Sequence, residues 1–85
     1  MAKYHAERGA VHMETGEFQQ ALYDFGTAVR FDGKQSQYYA HRANCMMMLN
    51  QIKDALVEFG MAISLKPDGI YYFNRGLVHQ RLMAY

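Results

Sequence analysis

Four histidines, one cysteine and an arginine that recurs at regular intervals are the residues of this 85-residue chain that could carry chemistry. A zinc-binding helix sets two histidines four residues apart, with an acid nearby, so that both imidazoles leave one face. His5 and His12 are seven apart, and His41 and His79 stand alone, so no metal ligand set is expected. No arrangement of His or Asp can be argued as a base for Cys45, which is expected to be a small buried hydrophobe. Paired catalytic groups, a phosphate-cradling glycine loop and a nucleophile motif are all missing. The chain is therefore read as no enzyme, with no catalytic residue, no cofactor and no metal. Arg8, Arg42 and Arg75 leave two readings open. They form a basic ladder for an acidic partner, or each guanidinium bonds a helix-end carbonyl or a nearby acid of its own fold.

Composition narrows the partners. The formal net charge is +1, too weak a field to draw in nucleic acid or an anionic membrane. Half of the residues are apolar, which argues for a packed domain over disorder. The longest apolar run, Cys45 to Leu49, is far too short to span a bilayer, and residues 1–8 lack the apolar core of a signal peptide. One cysteine allows no internal disulfide, which fits a reducing, cytoplasmic setting.

The elements that position these residues are repeated. A shift of 34 residues lays Tyr4 on Tyr38, Ala6 on Ala40, Arg8 on Arg42 and Met13 on Met47. The same shift lays Ala21-Leu22 on Ala55-Leu56, Phe25-Gly26 on Phe59-Gly60 and Ala28 on Ala62. At an offset of 33, Tyr72, Arg75, Gly76, His79 and Leu82 follow Tyr39, Arg42, Ala43, Met46 and Leu49. Phe18, Ala21, Leu22, Phe25, Ala28 and Val29 recur at spacings of three and four, a helical face, and Ile52 to Ile63 repeat it. Thr15-Gly16 and Leu49-Asn50 break the chain within repeats, because Gly and Asn accept the left-handed backbone that ends a helix. Asp32-Gly33 and Pro67-Asp68-Gly69 break it between repeats. Five helices are predicted, near residues 3–14, 18–31, 36–49, 52–65 and 70–83, with Ser36 and Asp68 as N-caps. Gly9, Ala43 and Gly76 are expected to let paired helices approach. Gly26 and Gly60, inside helices, mark either a close backbone approach or tolerated surface positions.

The period and the pattern Arg8-Gly9, Gly16-Glu17-Phe18, Ala21-Leu22, Phe25, Ala28-Val29, then Tyr39, Arg42-Ala43, Leu49, Ala55-Leu56, Phe59, Ala62-Ile63 and Pro67, resemble the tetratricopeptide repeat (TPR). Tyr72 to Gly76 and Leu82 resemble the first helix of a third copy. The resemblance implies an all-α solenoid in a right-handed superhelical stack, with repeat 1 near 2–35, repeat 2 near 36–69 and a capping or third-repeat helix near 70–85, a fragment of a longer array. It further implies a concave groove that receives a peptide or helix. Its groove positions fall on Ala6, Ala10 and Met13, on Ala40, His41, Asn44 and Met47, and on Phe73, Asn74, Leu77 and Arg81. Asn44 and Asn74 are the expected hydrogen-bond formers to a ligand backbone. An acidic chaperone tail, held in this family by Lys, Asn and Arg, would here meet Ala6, Ala10, His41, Ile70 and Asn74, so such a tail is not the expected ligand. An amphipathic helix or apolar peptide suits the floor better. The apolar last helix raises an alternative, self-association through Ile70, Phe73, Leu77, Leu82, Met83 and Tyr85.

Overall fold

A computed structural model describes residues Met1–Ala84 as five α-helices with no strand among them. They are α1 (Ala2–Glu14), α2 (Phe18–Phe31), α3 (Ser36–Met48), α4 (Ile52–Leu65) and α5 (Gly69–Met83). Each agrees with its predicted span to within a residue at either end. The helices pack mainly on their neighbours in sequence, α1 on α2, α2 on α3, α3 on α4 and α4 on α5. That order is a stack of helix pairs, each burying its apolar face against the next.

Local chemistry explains where the helices stop. Gly16 has φ +79° and Asn50 has φ +62°, both left-handed. The reversal lets the Glu17 N–H donate to His12 O at 2.8 Å and the Gln51 N–H donate to Met46 O at 2.7 Å. Each bond satisfies a carbonyl that the helix end would otherwise leave open. Asp68 is the expected cap, its Oδ1 accepting from the Ile70 N–H at 3.0 Å. Ser36 is not a cap. It is the first residue inside α3, behind Gln35, and its buried hydroxyl instead pairs with Tyr71 Oη at 3.1 Å, tying α3 to α5.

The core lies in two clusters. Ala21, Phe25 and Cys45 join α2 to α3, with Met13 packed alongside. Tyr39, Ala43, Ile52, Ala55, Phe59, Ala62 and Val78 join α3, α4 and α5, with Met46, Tyr71 and Leu82 packed against them. Phe25 and Phe59 are the largest fully buried side chains, worth roughly 1.5–3 kcal/mol each in water-excluded area. Small residues make this possible. A Cβ on Gly9 would lie 3.1–3.2 Å from the Phe25 ring, so α1 reaches α2 only because Gly9 has none. The close-approach reading of Gly26 and Gly60 is not what the packing shows. A Cβ on Gly26 would meet only Arg42 Nη1, at 3.7 Å, and one on Gly60 would meet nothing within 4 Å. Gly76, expected to admit a partner helix, likewise faces open space.

Candidate functional site

The first helices of the pairs, α1, α3 and α5, share one side of the stack, where two clefts open. The larger, of about 530 Å³, is floored by Met13, Met47, Met48 and Leu77, with Phe59 beneath them. Asn44, Asn74, Gln80 and Arg81 stand at its edge. The smaller, of about 430 Å³, lies between α1 and α3 and takes in Ala6, Ala10 and His41 together with Lys3, Glu7, Gln35, Gln37 and Tyr38. Nine of the eleven expected groove residues therefore line one cleft or the other. Ala40 does not, since it is 6 % exposed and packed into the core. Phe73 lines neither cleft and projects from α5 at 65 % exposure. Sequence reading did not assign Lys3, Glu7, Gln35, Gln37, Tyr38 and Gln80 to the groove, although each lines one of the two clefts.

The chemistry of the floor is apolar and soft. Met13 and Met47 serve groove and core at once, because each packs against a buried cluster and still faces the cleft. Cys45 donates its S–H to Met13 Sδ at 3.1 Å, holding that thioether in place. Burial pushes the Cys45 thiol up to about 12, so it is no nucleophile. His41 stacks on Phe25 at 5.1 Å between ring centroids, and desolvation pushes its pKa below the ordinary histidine value. A neutral ring therefore stands where an anion would need a cation.

The remaining titratable groups brace the scaffold. Arg8 makes a two-pronged pair with Asp24, through Nη2 at 2.7 Å and Nε at 3.0 Å. Arg42 pairs with Glu58 across α3 and α4, its Nε and Nη2 both reaching the single oxygen Oε1. The basic-ladder reading of these two arginines is thus replaced by an internal one, and each acid stands sixteen residues after its arginine. Arg8 holds the Asp24 carboxyl below its ordinary value against the burial that opposes ionisation. His12 bonds Glu17 at 2.9 Å and, with Thr15, depresses the Glu17 carboxyl as well. His5 stacks on Phe31 with 7° between the rings, and its buried Nδ1 lies 3.8 Å from Asp24 without a hydrogen bond. Among the described residues no cluster of three His, Cys, Asp or Glu could hold a metal ion.

Of the residues considered for self-association, Ile70, Phe73, Leu77 and Met83 are exposed on α5. Leu82 is not available, because it packs against the core cluster of α3 and α4. Tyr85 lies outside the described residues.

Comparison with solved structures identifies the architecture. The TPR domain of Arabidopsis OM64 superposes with a TM-score of 0.93 at 20 % identity, covering 99 % of this chain and 70 % of that one. The first TPR of Spaghetti (RPAP3), bound to the HSP90 peptide SRMEEVD, superposes with a TM-score of 0.94 at 17 % identity, covering 98 % of this chain and 67 % of that one. No family model and no curated protein matches the sequence. The chain has the TPR fold, an all-α helical solenoid of about two and a half repeats.

Proposed function

We propose that this chain is a protein–protein interaction module that holds an apolar or amphipathic segment of a partner protein in its concave face. The observation that carries the reading is the larger cleft, whose methionine and leucine floor is open while amides from two successive first helices, Asn44 and Asn74, stand at its edge. An amide donates and accepts, so it can hold a peptide backbone while the floor takes side chains. Flexible thioethers at Met13, Met47 and Met48 adapt to the shape of the ligand. Nothing in this chemistry transforms a bound group, and we read the module as non-catalytic. Its single buried free thiol suits a reducing, cytoplasmic setting.

The SRMEEVD complex of the RPAP3 neighbour stands against excluding acidic tails from this fold as a whole. The residues of this chain favour an apolar ligand even so. Its groove cations, Lys3 and Arg81, lie in different clefts, and Lys3 shares its cleft with Glu7. A carboxylate gives up its hydration only for several charge-assisted donors at one place. A second reading, self-association, draws on the exposed Ile70, Phe73 and Leu77 of α5. Sedimentation equilibrium separates it. A concentration-dependent dimer that the double substitution Phe73→Glu with Leu77→Glu returns to a folded monomer supports it, and a monomer at all concentrations rejects it.

Selection of displayed helical peptides on the wild-type chain, followed by counter-screening on Leu77→Glu and on Met47→Glu, tests the main reading. Amphipathic sequences that lose binding to both variants are expected. Enrichment of acidic C-terminal tails whose binding survives both substitutions overturns it.

A further inference from the structure

The two clefts open on the same side of α3, one toward each of its ends. The smaller takes in Gln35, the N-cap of α3, with Gln37 and Tyr38 of its first turn and Lys3 and Glu7 of α1. The larger takes in Met13 from the last turn of α1 and Met47 and Met48 from the last turn of α3. His41 of the smaller cleft and Asn44 of the larger stand one turn apart on α3, so the two clefts adjoin. α3 has 13 residues and is therefore about 20 Å long. A helix of similar length laid along it would enter both clefts.

Charge in the smaller cleft is confined to one wall. Lys3 and Glu7, one turn apart on α1, are both exposed, and among the described residues neither joins an ion pair. The facing wall of Gln35, Gln37, Tyr38 and His41 carries no charge at neutral pH, since desolvation keeps the His41 ring neutral. A free cation and a free anion one turn apart are complementary to a segment that carries the opposite signs at the same spacing. Direction follows from the helix dipoles. Short turns join successive helices, so α1 and α3 run the same way and both begin at the small-cleft end. A bound helix antiparallel to both would set its negative C-terminal end there. Its free N–H groups would then lie over the large cleft, where the side-chain oxygens of Asn44 and Asn74 can accept them. Arg81, at the same edge, suits an acid in the first turn of that helix, where an acid also favours the helix itself.

We propose that the concave face takes one helix of a partner protein, antiparallel to α1 and α3, whose apolar N-terminal turns fill the large cleft and whose later turns present a basic residue to Glu7 and, one turn further on, an acidic residue to Lys3. The proposal rests on the groove reading and adds to it the direction of the ligand and the order of its charges. Lys3 and Glu7 are then the residues that choose among amphipathic helices, while the methionine floor accepts any of them.

Two capped helical peptides of about fifteen residues test it. Both carry leucines along one face of their first two turns and, further along that face, a lysine and a glutamate one turn apart. The lysine comes first in one peptide and the glutamate in the other, so length, composition and net charge are equal. Each is titrated by calorimetry, at low salt, into the wild type, into the double variant Lys3→Glu with Glu7→Lys, and into Leu77→Glu. The wild type is expected to bind the lysine-first peptide about three- to tenfold more tightly, and the charge-exchanged variant to prefer the other peptide by a similar factor. Raising the salt should shrink both preferences. A difference in helicity between the peptides acts alike on both proteins, so the reversal isolates the contacts. Equal affinities on the wild type, a preference that the charge exchange leaves in place, or a wild type that prefers the glutamate-first peptide overturns the proposal. The groove reading survives those results if Leu77→Glu still weakens both peptides. Binding that Leu77→Glu does not weaken, or no binding up to about 1 mM, removes the groove reading and the proposal together. A dimer of the chain that must dissociate before either peptide binds overturns the choice of a partner protein as occupant.

Discussion

Alanine at Gly9 and alanine at Gly76 should change stability in opposite directions, although the two positions are equivalent in the repeat. Either substitution removes a helix-interior glycine, which by itself gains roughly 0.5–1 kcal/mol. At Gly9 the new methyl would sit 3.1 Å from Phe25 Cζ and 3.2 Å from both Cε atoms. The ring is fully buried, with His41 stacked on it at 5.1 Å, so it cannot back away without displacing the core. Overpacking of this kind costs about 1–3 kcal/mol. The net effect at Gly9 is a loss of about 1 kcal/mol, and at Gly76, with nothing within 4 Å, the propensity gain stands alone. For a domain of this size 1 kcal/mol moves Tm by about 4–8 °C. Thermal unfolding followed by circular dichroism should show Gly9→Ala melting several degrees below the wild type and Gly76→Ala a few degrees above it. Two variants that both rise, or a Gly76→Ala that falls, would refute the packing argument.

The Arg8–Asp24 pair should respond unequally to loss of its partners. Asp24→Asn keeps a hydrogen-bond acceptor and leaves a half-exposed arginine that water can reach, so urea unfolding should show a loss of about 1–2 kcal/mol. Arg8→Met strands a buried carboxylate and should cost more than Asp24→Asn in the same assay. Acid should weaken the fold. Folding lowers the Asp24 and Glu17 carboxyl pKa values below their ordinary 3.8 and 4.5, so their contribution is complete above those values and is lost as pH falls through the lower folded ones. A Tm at pH 7 clearly above that at pH 3 is expected, and Asp24→Asn should shrink the difference. Cys45, with its thiol pushed up to about 12 and no exposed surface, should resist alkylation at pH 8 in the native chain and react once urea unfolds it.

How much of this was legible in the chain follows from where the information lies. Helix ends were readable because Gly16, Asn50, Asp68 and the Asp32-Gly33 step act locally, through left-handed backbone or a cap. Ser36 misled because a hydroxyl before an apolar run serves equally as a cap or, one residue further in, as a buried link to Tyr71. Groove residues followed from the repeat register, yet register assigns a helix and not a depth. Ala40 sits a quarter-turn deeper than its neighbour His41 and faces the core. For Arg8 and Arg42 the bond to a nearby acid was one of the two open readings, but the partners Asp24 and Glu58 were not named. Arg8 to Asp24 and Arg42 to Glu58 share one spacing, and a matched cation and anion at a fixed separation within each repeat could have named both bonds. The glycines could not be sorted by sequence at all. Gly9, Gly60 and Gly76 differ only in what stands opposite them, Phe25 in one case and open space in the others.

The most direct test of the groove reading uses the methionines as reporters. The chain labelled at its methionine methyl groups is titrated with an amphipathic peptide from the selection described above and, separately, with SRMEEVD, while methyl resonances are followed by NMR. The account predicts that the amphipathic peptide shifts Met13, Met47 and Met48, which line the large cleft, and leaves the exposed Met61 and Met83 unmoved. Shifts confined to Met61 or Met83, or cleft methyl groups that respond to SRMEEVD and ignore the amphipathic peptide, would contradict it.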